Sequence, residues 1–399
     1  MTESVWIVGA AMTAFGRYPD ADVVDLGARA AQEALADARL DVQRMQHVAV
    51  GNVFDSLTGI GQRVMRQIGQ TGVPVVNVVN ACATGATAIR SGMQAIKAGE
   101  ADLALVIGCE QLGKRGLLAA PSEPRPAEYS PQGRDGSIMD TEGVVGSSMM
   151  PAVFGEAGIA YLAAHPQASV EHFFKIGEKN HAHSALNPLA QYRKKFSRDE
   201  VRSAEMIAYP NTSLMCSPTS DGGAAVVLAS DAALAALDPD VRKRAVRIAA
   251  SVLVTDPYGE DGEARYDVNT ITRNAAALAY ERAGLGPEDL DLVELHDCFA
   301  TAELLHYENL GLCEPGGAAD FLDSGGPWRD GRTPVNVSGG LLSKGHPLGA
   351  TGVAGVYEIA THLRGAAGER QIPDAKVGMA HVLGLGSSVA VHILERRAA

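Results

Sequence analysis

The chain has 399 residues, a formal net charge of −13, 46% apolar residues and 20% charged residues. This composition is typical of a globular protein with a sizeable core, and the length favours two or three domains. The negative charge disfavours nucleic-acid binding, so a phosphate-bearing ligand would need a local basic patch. The apolar runs are strand-sized, far below the roughly 20 residues of a membrane-spanning helix, and they predict no membrane span.

The cysteines indicate a reducing compartment. They are widely spaced, odd in number and without a C-x-x-C pair: Cys82, Cys109, Cys216, Cys298 and Cys313. This pattern argues against a disulfide framework and a zinc site, so we expect reduced thiols and no bound metal. The N-terminal residues lead directly into a strand-like segment, which predicts no export signal and favours a cytoplasmic location.

The predicted elements repeat along the chain. A helical pattern over residues 22–36 is followed, after a turn, by an apolar run over 47–54. The same order of helix, turn and strand returns at 269–283 and 290–299. The sequence therefore indicates a diverged duplication.

A second pair of segments supports the duplication. The strand-like residues 74–79 precede a helix that begins near Cys82, and residues 334–337 precede a glycine-rich loop and a helix that contains 349–352. Two similar α/β halves are predicted, each with a mixed sheet.

The rhythm of strands and helices weakens between residues 111 and 210. Residues 121–126 and 133–136 are typical of loops, and we interpret 111–210 as an inserted subdomain. The apolar run 224–228 predicts a buried strand that completes the first half. The predicted domains are an N-terminal half that includes the insert and a C-terminal half, at 1–240 and 241–399.

Cys82 is a candidate nucleophile. It follows a strand and stands at the start of a predicted helix, where aligned peptide dipoles favour a thiolate. Gly85, one turn later, would let another chain segment or a substrate approach closely. A small buried thiol in a tightly packed helix explains this segment equally well.

His346 is a candidate base on a glycine-rich loop that leads into a helix. An imidazole beside Cys82 could deprotonate its thiol, and its N–H could then stabilise an oxyanion. The loop lacks the spacing of the two glycine-rich phosphate-binding motifs. Read alone, an ordinary loop histidine is the simpler interpretation.

Two further segments carry candidate groups. His296 and Cys298 follow a strand, and α/β proteins commonly place ligand-binding groups at the carboxyl end of a strand. Cys298 could act as an acid/base thiol and His296 could hold a water, although a strand cap with one buried cysteine is the alternative. Gly384 and Gly386 would let backbone amides face a ligand, although a glycine-kinked hairpin is an adequate explanation.

Taken together, these segments resemble the thiolase superfamily: 79–85, 296–299, 338–340, 344–349 and the closing glycine hairpin. Within the superfamily they are most similar to the sterol-carrier-protein-type thiolases, because 216–222, 294–299 and 344–352 have that form. The resemblance implies the thiolase fold. This α/β fold has two duplicated βαβαβαββ-type halves in a five-layer αβαβα arrangement with an inserted loop domain.

The resemblance also implies a role for each candidate. Cys82 resembles the cysteine that accepts the acyl group, and His346 resembles the histidine that activates it. His296 stands where many thiolases have an asparagine and would position the catalytic water. His381 stands in the place of their second catalytic cysteine, and Cys298 would take over its acid/base task.

The implied chemistry is cleavage of a 3-ketoacyl-CoA, such as acetoacetyl-CoA, by CoA through an acyl-Cys82 intermediate, or the reverse Claisen condensation. The amides of Leu383 and Cys82 would form the second oxyanion hole, with Gly384 beside them. Losing one such donor typically costs ~10²–10³ in rate. CoA is then a substrate and not a bound cofactor.

The resemblance further implies a homodimer, and it leaves open a small zinc-containing OB-fold partner. Residues 172–181 and 193–195 could hold the CoA phosphates or form a solvated helix face. One alternative is a retro-aldolase on a steroid side-chain CoA ester, which would not need both Cys82 and Cys298. Another is a non-catalytic, lipid-binding thiolase-like subunit, which would be expected to have lost Cys82 or His346.

Overall fold

The computed structural model describes residues 3–113, 149–257, 268–384 and 388–397. Three sequence-based interpretations fall elsewhere. The expected loops at 121–126 and 133–136 lie outside the described residues, and so does Gly386.

The first part of the chain alternates strands and helices, as predicted. Its elements are β1 (Val5–Met12), α1 (Val23–Asp37), β2 (His47–Gly51), α2 (Ile60–Ile68), β3 (Val75–Val78), α3 (Thr84–Lys97) and β4 (Leu103–Gln111). Helix α1 begins at a capping box: the Asp22 carboxylate accepts from Val24 N, while Asp22 N donates to the Asp25 carboxylate. The polar pattern that predicted this helix therefore also fixes where it starts.

The middle of the chain is mostly helical. It contains α4 (Met149–Ala164), α5 (Val170–Ser184), α6 (Arg198–Ser203) and a short hairpin of β5 (Met206–Ala208) and β6 (Asn211–Thr212). The chain then returns to the sheet as β7 (Asp221–Ser230), which contains the predicted buried run 224–228. Two short helices follow, α7 (Asp231–Ala236) and α8 (Pro239–Lys243).

The last part of the chain repeats the α/β pattern. Its elements are β8 (Val246–Val254), α9 (Val268–Ala283), β9 (Leu292–Glu294), α10 (Ala300–Asn309), α11 (Ala318–Asp323), α12 (Gly340–Lys344), α13 (Leu348–Leu363), β10 (Val377–Gly384) and β11 (Ser388–Arg396). Strands β10 and β11 are antiparallel neighbours, so the closing hairpin is confirmed.

Nine strands form one sheet in the order β3-β2-β4-β7-β1-β8-β11-β10-β9. Strands β1 and β8 pair only at Trp6 with Arg247 and at Ile7 with Val246, so the sheet narrows at this junction. On the far side, Val335 adds a parallel bridge to Val293 of β9. The predicted strand at 334–337 is thus a single bridge. With this bridge counted as a strand, the order β3-β2-β4-β7-β1 of the first half matches the order bridge-β9-β10-β11-β8 of the second. The duplication is confirmed.

The two central helices, α3 and α13, touch backbone to backbone. A Cβ atom on Gly85 would lie 2.7 Å from Gly349 O, and one on Gly352 would lie 2.3 Å from Ala86 N. Only glycine allows so close an approach. The contact that Gly85 was expected to permit is therefore made by the matching helix of the other half.

The central strands are apolar because both faces of the sheet are covered. Strands β4 and β7 are buried along their whole length, as expected for interior strands of a layered α/β fold. Within the described ranges, no helix has the length and apolar character needed to cross a membrane. No disulfide joins the cysteines of these residues.

Candidate active site

Cys82 lies in a tight turn between β3 and α3. The preceding residue, Ala81, has a left-handed φ of 46°. Thr84 Oγ1 accepts from Asn80 N at 2.7 Å and donates to Ala81 O at 2.6 Å, and Ala83 N donates to Asn80 O at 3.0 Å. These bonds hold Cys82 just before the first turn of α3, where the sequence predicted it, and leave it 5% exposed.

Two histidines from the other half of the chain face Cys82. The Cys82 sulfur and one ring nitrogen each of His296 and His346 all lie within 4.8 Å of one another. The two imidazole rings are 5.3 Å apart between centroids and nearly perpendicular, at 78°. Three buried groups that the sequence singled out separately thus meet at one point. One sulfur and two imidazole nitrogens at this spacing could also hold a metal ion such as Zn²⁺.

Cys298 lies on the same loop as His296, two residues further along the chain. It follows β9, and its carbonyl oxygen accepts from Ser217 N at 2.9 Å, while Phe299 forms a β-bridge with Cys216. The 216–222 motif therefore packs against the Cys298 loop. Burial raises the pKa of the Cys298 thiol well above its ordinary value, and charge on Cys82 raises it further. The Cys298 thiol is therefore held in its neutral, protonated form.

The hydrogen bonds of His346 define its tautomer. Its Nδ1 lies 2.8 Å from Thr351 Oγ1, and that hydroxyl donates to Pro347 O at 2.9 Å. Because the hydroxyl has only one proton, it accepts a hydrogen bond from His346 Nδ1–H. His346 Nε2 then carries the lone pair, and no group among the described residues hydrogen-bonds to it. This nitrogen can accept a proton.

Burial keeps the histidines of the site neutral. It lowers the pKa of His346 to about 3, with a further contribution from the Lys344 charge. The pKa of His296 also lies well below its ordinary value, first because of burial and then because of His346 and His381. A neutral imidazole is the form that can take a proton from a thiol.

Two more histidines extend the cluster into the core. His381 Nδ1 accepts from His296 N at 3.3 Å, and the His381 ring lies edge-on to His306, with centroids 4.7 Å apart. His306, on α10, was missed by the sequence analysis. The one signal in the sequence was a histidine ten positions after His296, within a helix that also carries several apolar residues.

The end of β10 packs against the Cys82 turn. A Cβ atom on Gly384 would lie 2.8 Å from Asn80 O and 3.1 Å from Ala83 N. Leu383 pairs with Val389 in the hairpin and is buried. The two residues expected at the second oxyanion hole thus lie beside the loop that carries Cys82.

Asp297 ties two loops of the site together. Its carboxylate accepts from Leu341 N at 2.7 Å and from Asn180 Nδ2 at 2.8 Å. Gly340 makes room for it, since a Cβ there would lie 2.0 Å from Asp297 Oδ2. Asp297 therefore joins the His296 loop to the start of α12, which leads into the His346 loop.

A buried ion pair supports this arrangement. Lys179 Nζ lies 2.8 Å from Glu303 Oε1, both side chains are fully buried, and Lys179 also donates to Val335 O at 3.0 Å. Glu303 accepts from the side-chain amides of Asn180 and Asn336. Lys179 belongs to the 172–181 segment that could have held CoA phosphates, and burial excludes it from that task.

The rest of the basic segments divides in two. Lys175 pairs with Asp323, so its charge is already compensated, and His172 Nε2 lies 3.4 Å from the same carboxylate. Arg193, Lys194 and Lys195 are exposed, although Lys194 lies 3.7 Å from Glu200. Only the 193–195 segment stays a candidate for contacts to phosphates.

Comparisons with known proteins identify the family. The chain matches two family models, "Thiolase, N-terminal domain" over residues 5–151 and "Thiolase C-terminal domain-like" over residues 263–396. The chain belongs to the thiolase family, as its motifs predicted.

Curated relatives bear out the sterol-carrier-type resemblance. Human "Sterol carrier protein 2" is 40% identical over 395 residues, which cover 97% of this chain and 71% of the human protein. The "Acetyl-CoA acetyltransferase" of Methanothermobacter thermautotrophicus is 33% identical over 410 residues and covers 98% of this chain and 99% of its own length.

Solved structures share the fold. The "Ltp2-ChsH2(DUF35) aldolase" aligns with a TM-score of 0.79 at 22% identity, over 98% of both chains. Human mitochondrial 3-ketoacyl-CoA thiolase in complex with CoA aligns with a TM-score of 0.72 at 20% identity, over 100% of this chain and 99% of the other. At these identities the likeness establishes the thiolase fold alone.

Proposed function

We propose that the protein is an acyl-CoA:CoA C-acyltransferase that cleaves 3-ketoacyl-CoA with CoA, or runs the reverse condensation, through an acyl-Cys82 intermediate. One observation carries the proposal: the Cys82 thiol, neutral His346 and His296 converge within 4.8 Å in a buried site. The raised pKa of Cys298 adds a proton donor to that group.

The first half-reaction forms the acyl-enzyme. His346 Nε2 takes the proton of the Cys82 thiol, and the thiolate attacks the keto carbon of the substrate. The resulting His346 N–H faces the oxyanion, and His296 holds a water beside it. As the Cα–Cβ bond breaks, its electron pair goes to the departing acetyl-CoA or propionyl-CoA carbon, and Cys298 protonates that carbon.

The second half-reaction transfers the acyl group to CoA. The Cys298 thiolate is poorly solvated and therefore strongly basic, so it removes the proton of the incoming CoA thiol. The CoA thiolate attacks the acyl carbon on Cys82, and the amides of Cys82 and Leu383, next to Gly384, stabilise the oxyanion. Cys82 then leaves as a thiolate and recovers its proton from His346.

We also propose a homodimer, and the exposed edge of the sheet supports it. Strand β3 is the outermost strand of the first half. Val76, within it, is 40% exposed, and Val79, just after it, is 53% exposed. An apolar edge strand is a template for pairing with another chain. We propose that the twofold axis of the dimer passes beside β3. We further propose that the exposed residues 193–195 contact CoA.

The same proposal extends to cell biology. We propose a cytoplasmic enzyme of lipid metabolism that acts, for example, in fatty-acid β-oxidation. The cysteines without disulfides and the thiolase relatives support this assignment. The proposal includes a small OB-fold partner protein, in line with the two-protein Ltp2-ChsH2(DUF35) aldolase, and co-purification tests it.

The retro-aldolase alternative rests on a likeness of fold alone. Such an enzyme needs no acyl-cysteine and no second acid/base thiol. The convergence of Cys82 with His346, together with the protonated thiol of Cys298, therefore favours the thiolase reaction. A non-catalytic subunit is disfavoured for the same reason.

The test is a thiolysis assay with purified protein, acetoacetyl-CoA and free CoA. The assay monitors the loss of the 3-ketoacyl thioester. Intact mass under limiting CoA would show the acyl adduct. We expect turnover and an adduct for the wild type, neither for Cys82→Ala, and both for the matched control Cys313→Ser, because Cys313 lies outside the cluster.

Two results would overturn the proposal. One is turnover in Cys82→Ala that matches the wild type. The other is the absence of both turnover and adduct when short, long and branched 3-ketoacyl-CoAs are tried. With a 3-hydroxyacyl-CoA ester as substrate, release of a ketone or aldehyde without consumption of free CoA would establish the aldolase alternative.

A further inference from the structure

A basic pocket lies away from the Cys82 cluster. It has a volume of about 350 Å³ and is bounded by the second half of α3, by β8 and by the end of α9. Arg247 at its rim is already paired with Glu395. The charged side chains that line the pocket are four cations and one acid: Arg90, Lys97, Arg247, Arg282 and Glu3.

Three of these cations have no ion-pair partner among the described residues. Among the residues that the structure describes, Arg90, Lys97 and Arg282 form no ion pair with a carboxylate. Arg90 and Arg282 both donate to the carbonyl oxygen of Ser251, at 2.5 and 3.5 Å. The two guanidinium groups thus point toward the same spot. In a chain of net charge −13, such a cluster is unexpected.

The three cations repel one another. Burial, and then the Arg282 charge, lowers the pKa of Arg90. Burial, and then Arg90 and Arg282, lowers the pKa of Lys97. The folded protein therefore holds like charges together at a free-energy cost that a bound anion would relieve.

Helix dipoles explain only part of this cluster. Lys97 and Arg282 lie in the last turns of α3 and α9, where the carbonyl ends of a helix favour cations. Arg90 lies in the middle of α3 and gains nothing from the helix end. The dipoles also do not account for a concave pocket between the three side chains.

We propose that this pocket binds a small diphosphate-bearing anion of nucleotide size. Guanidinium groups bind phosphate oxygens in pairs, and three cations match the charge of a diphosphate. Met93, Ile248 and Ala249 provide an apolar wall for the remainder of the ligand. Lys97 lies 13 residues beyond Thr84 on α3, which is about 20 Å along the helix axis. None of the residues that line the pocket belongs to the Cys82 cluster, so we treat the pocket as a second site.

Calorimetric titration of the full chain with pyrophosphate, ADP and uncharged adenosine tests the proposal. We expect pyrophosphate and ADP to bind, adenosine not to bind, and affinity to fall with added salt. The double variant Lys97→Gln/Arg282→Gln should weaken pyrophosphate binding at least ~10-fold, since each lost contact removes a charge. Lys97→Arg should retain it, and so should the exposed control Lys376→Gln.

Parallel titrations with CoA separate this pocket from the CoA site. We expect the double variant to bind CoA as the wild type does. Equal affinity for pyrophosphate and ADP would support a site for phosphate groups alone, and tighter ADP binding would support a nucleotide site. No pyrophosphate binding by a folded wild type, or a parallel loss of CoA and pyrophosphate binding in the variant, would overturn the proposal.

Discussion

The two halves of the chain share one arrangement of strands and helices, yet they supply different groups to the site. The first half contributes Cys82, at the start of α3. The second half contributes His346 just before the matching helix, α13, and adds His296 and Cys298 after β9. Duplication therefore fixes where two helix starts meet, and the short segments before each helix determine the chemistry.

Those segments differ in length. In the first half, five residues separate the end of β3 at Val78 from the start of α3 at Thr84. In the second half, the chain from Val335 to α13 includes the extra helix α12. The longer connection carries His346 forward to Cys82, and the bond from Leu341 N to Asp297 holds it in place.

The sharpest test of the unequal contributions is Cys298→Ala. Loss of a positioned proton donor should lower thiolysis by about 10²–10⁴-fold. The assay is kcat/KM with acetoacetyl-CoA, with Cys313→Ser as the control. If Cys298→Ala keeps more than a tenth of the wild-type rate, the proton donor is a different group.

Acid should destabilise the second half before the first. Burial lowers the pKa of His306 and His346 to about 3 and of His362 and His392 to about 4. The unfolded chain takes up these protons as the pH falls below about 6.5, whereas the folded chain does not. Stability is therefore complete above that pH and is lost progressively toward pH 4.

The measurement is hydrogen exchange at pH 7.5 and 5.5, corrected for the intrinsic rate. We expect amides of β9, β10 and α13 to lose protection at pH 5.5 while β2 and β4 keep theirs. The strands and helices β1 to β4 contain one histidine, His47, which is only partly buried, whereas His181 and His183, whose pKa values burial lowers to about 4 and about 3, lie in the predicted insert. Equal loss of amide protection in both halves would contradict this prediction.

The contact between the two central helices predicts a large difference between two neighbouring glycines. Gly352→Ala would press a Cβ against Ala86 N and should reduce the free energy of unfolding by at least ~2 kcal/mol. Gly355→Ala meets only Ala380 Cβ at an ordinary 3.6 Å and should stabilise α13 by up to about 1 kcal/mol. Urea unfolding measures both, and equal stability of the two variants would refute the close packing.

The smallest expected effect concerns the His346 tautomer. Thr351→Val removes the acceptor of Nδ1–H, so the ring can adopt the other tautomer, and kcat should fall about tenfold. Thr351→Ser keeps the hydroxyl and should restore the rate. Nitrogen NMR shifts of His346 report the tautomer directly, and an unchanged tautomer in Thr351→Val would contradict this role.

Much of the fold was readable because local patterns repeat. The helical periodicities, the apolar runs and the two strand-to-helix turns predicted the elements, the duplication and the position of Cys82 at a helix start. Motif order then identified the family. The domain boundaries at 1–240 and 241–399, with the insert over 111–210, stay predictions.

The supporting residues could not be predicted, because they depend on partners distant in sequence. Lys179 reads as part of a basic, solvated helix face, yet it pairs with Glu303, 124 residues away, in the core. The same holds for His306, which meets His381 only after β10 is in place. No local pattern distinguishes a buried charge with a distant partner from an exposed one.

The meeting of Gly85 with Gly349 and Gly352 has a consequence for how such proteins change. Because each backbone fills the space that a side chain would need, a mutation on one helix is acceptable only if the other helix shifts with it. The two copies of the ancestral unit cannot drift independently at this crossing. Recombination that exchanges one half between relatives must preserve small residues on both helices at this crossing. Otherwise the two helices of the chimera cannot pack together.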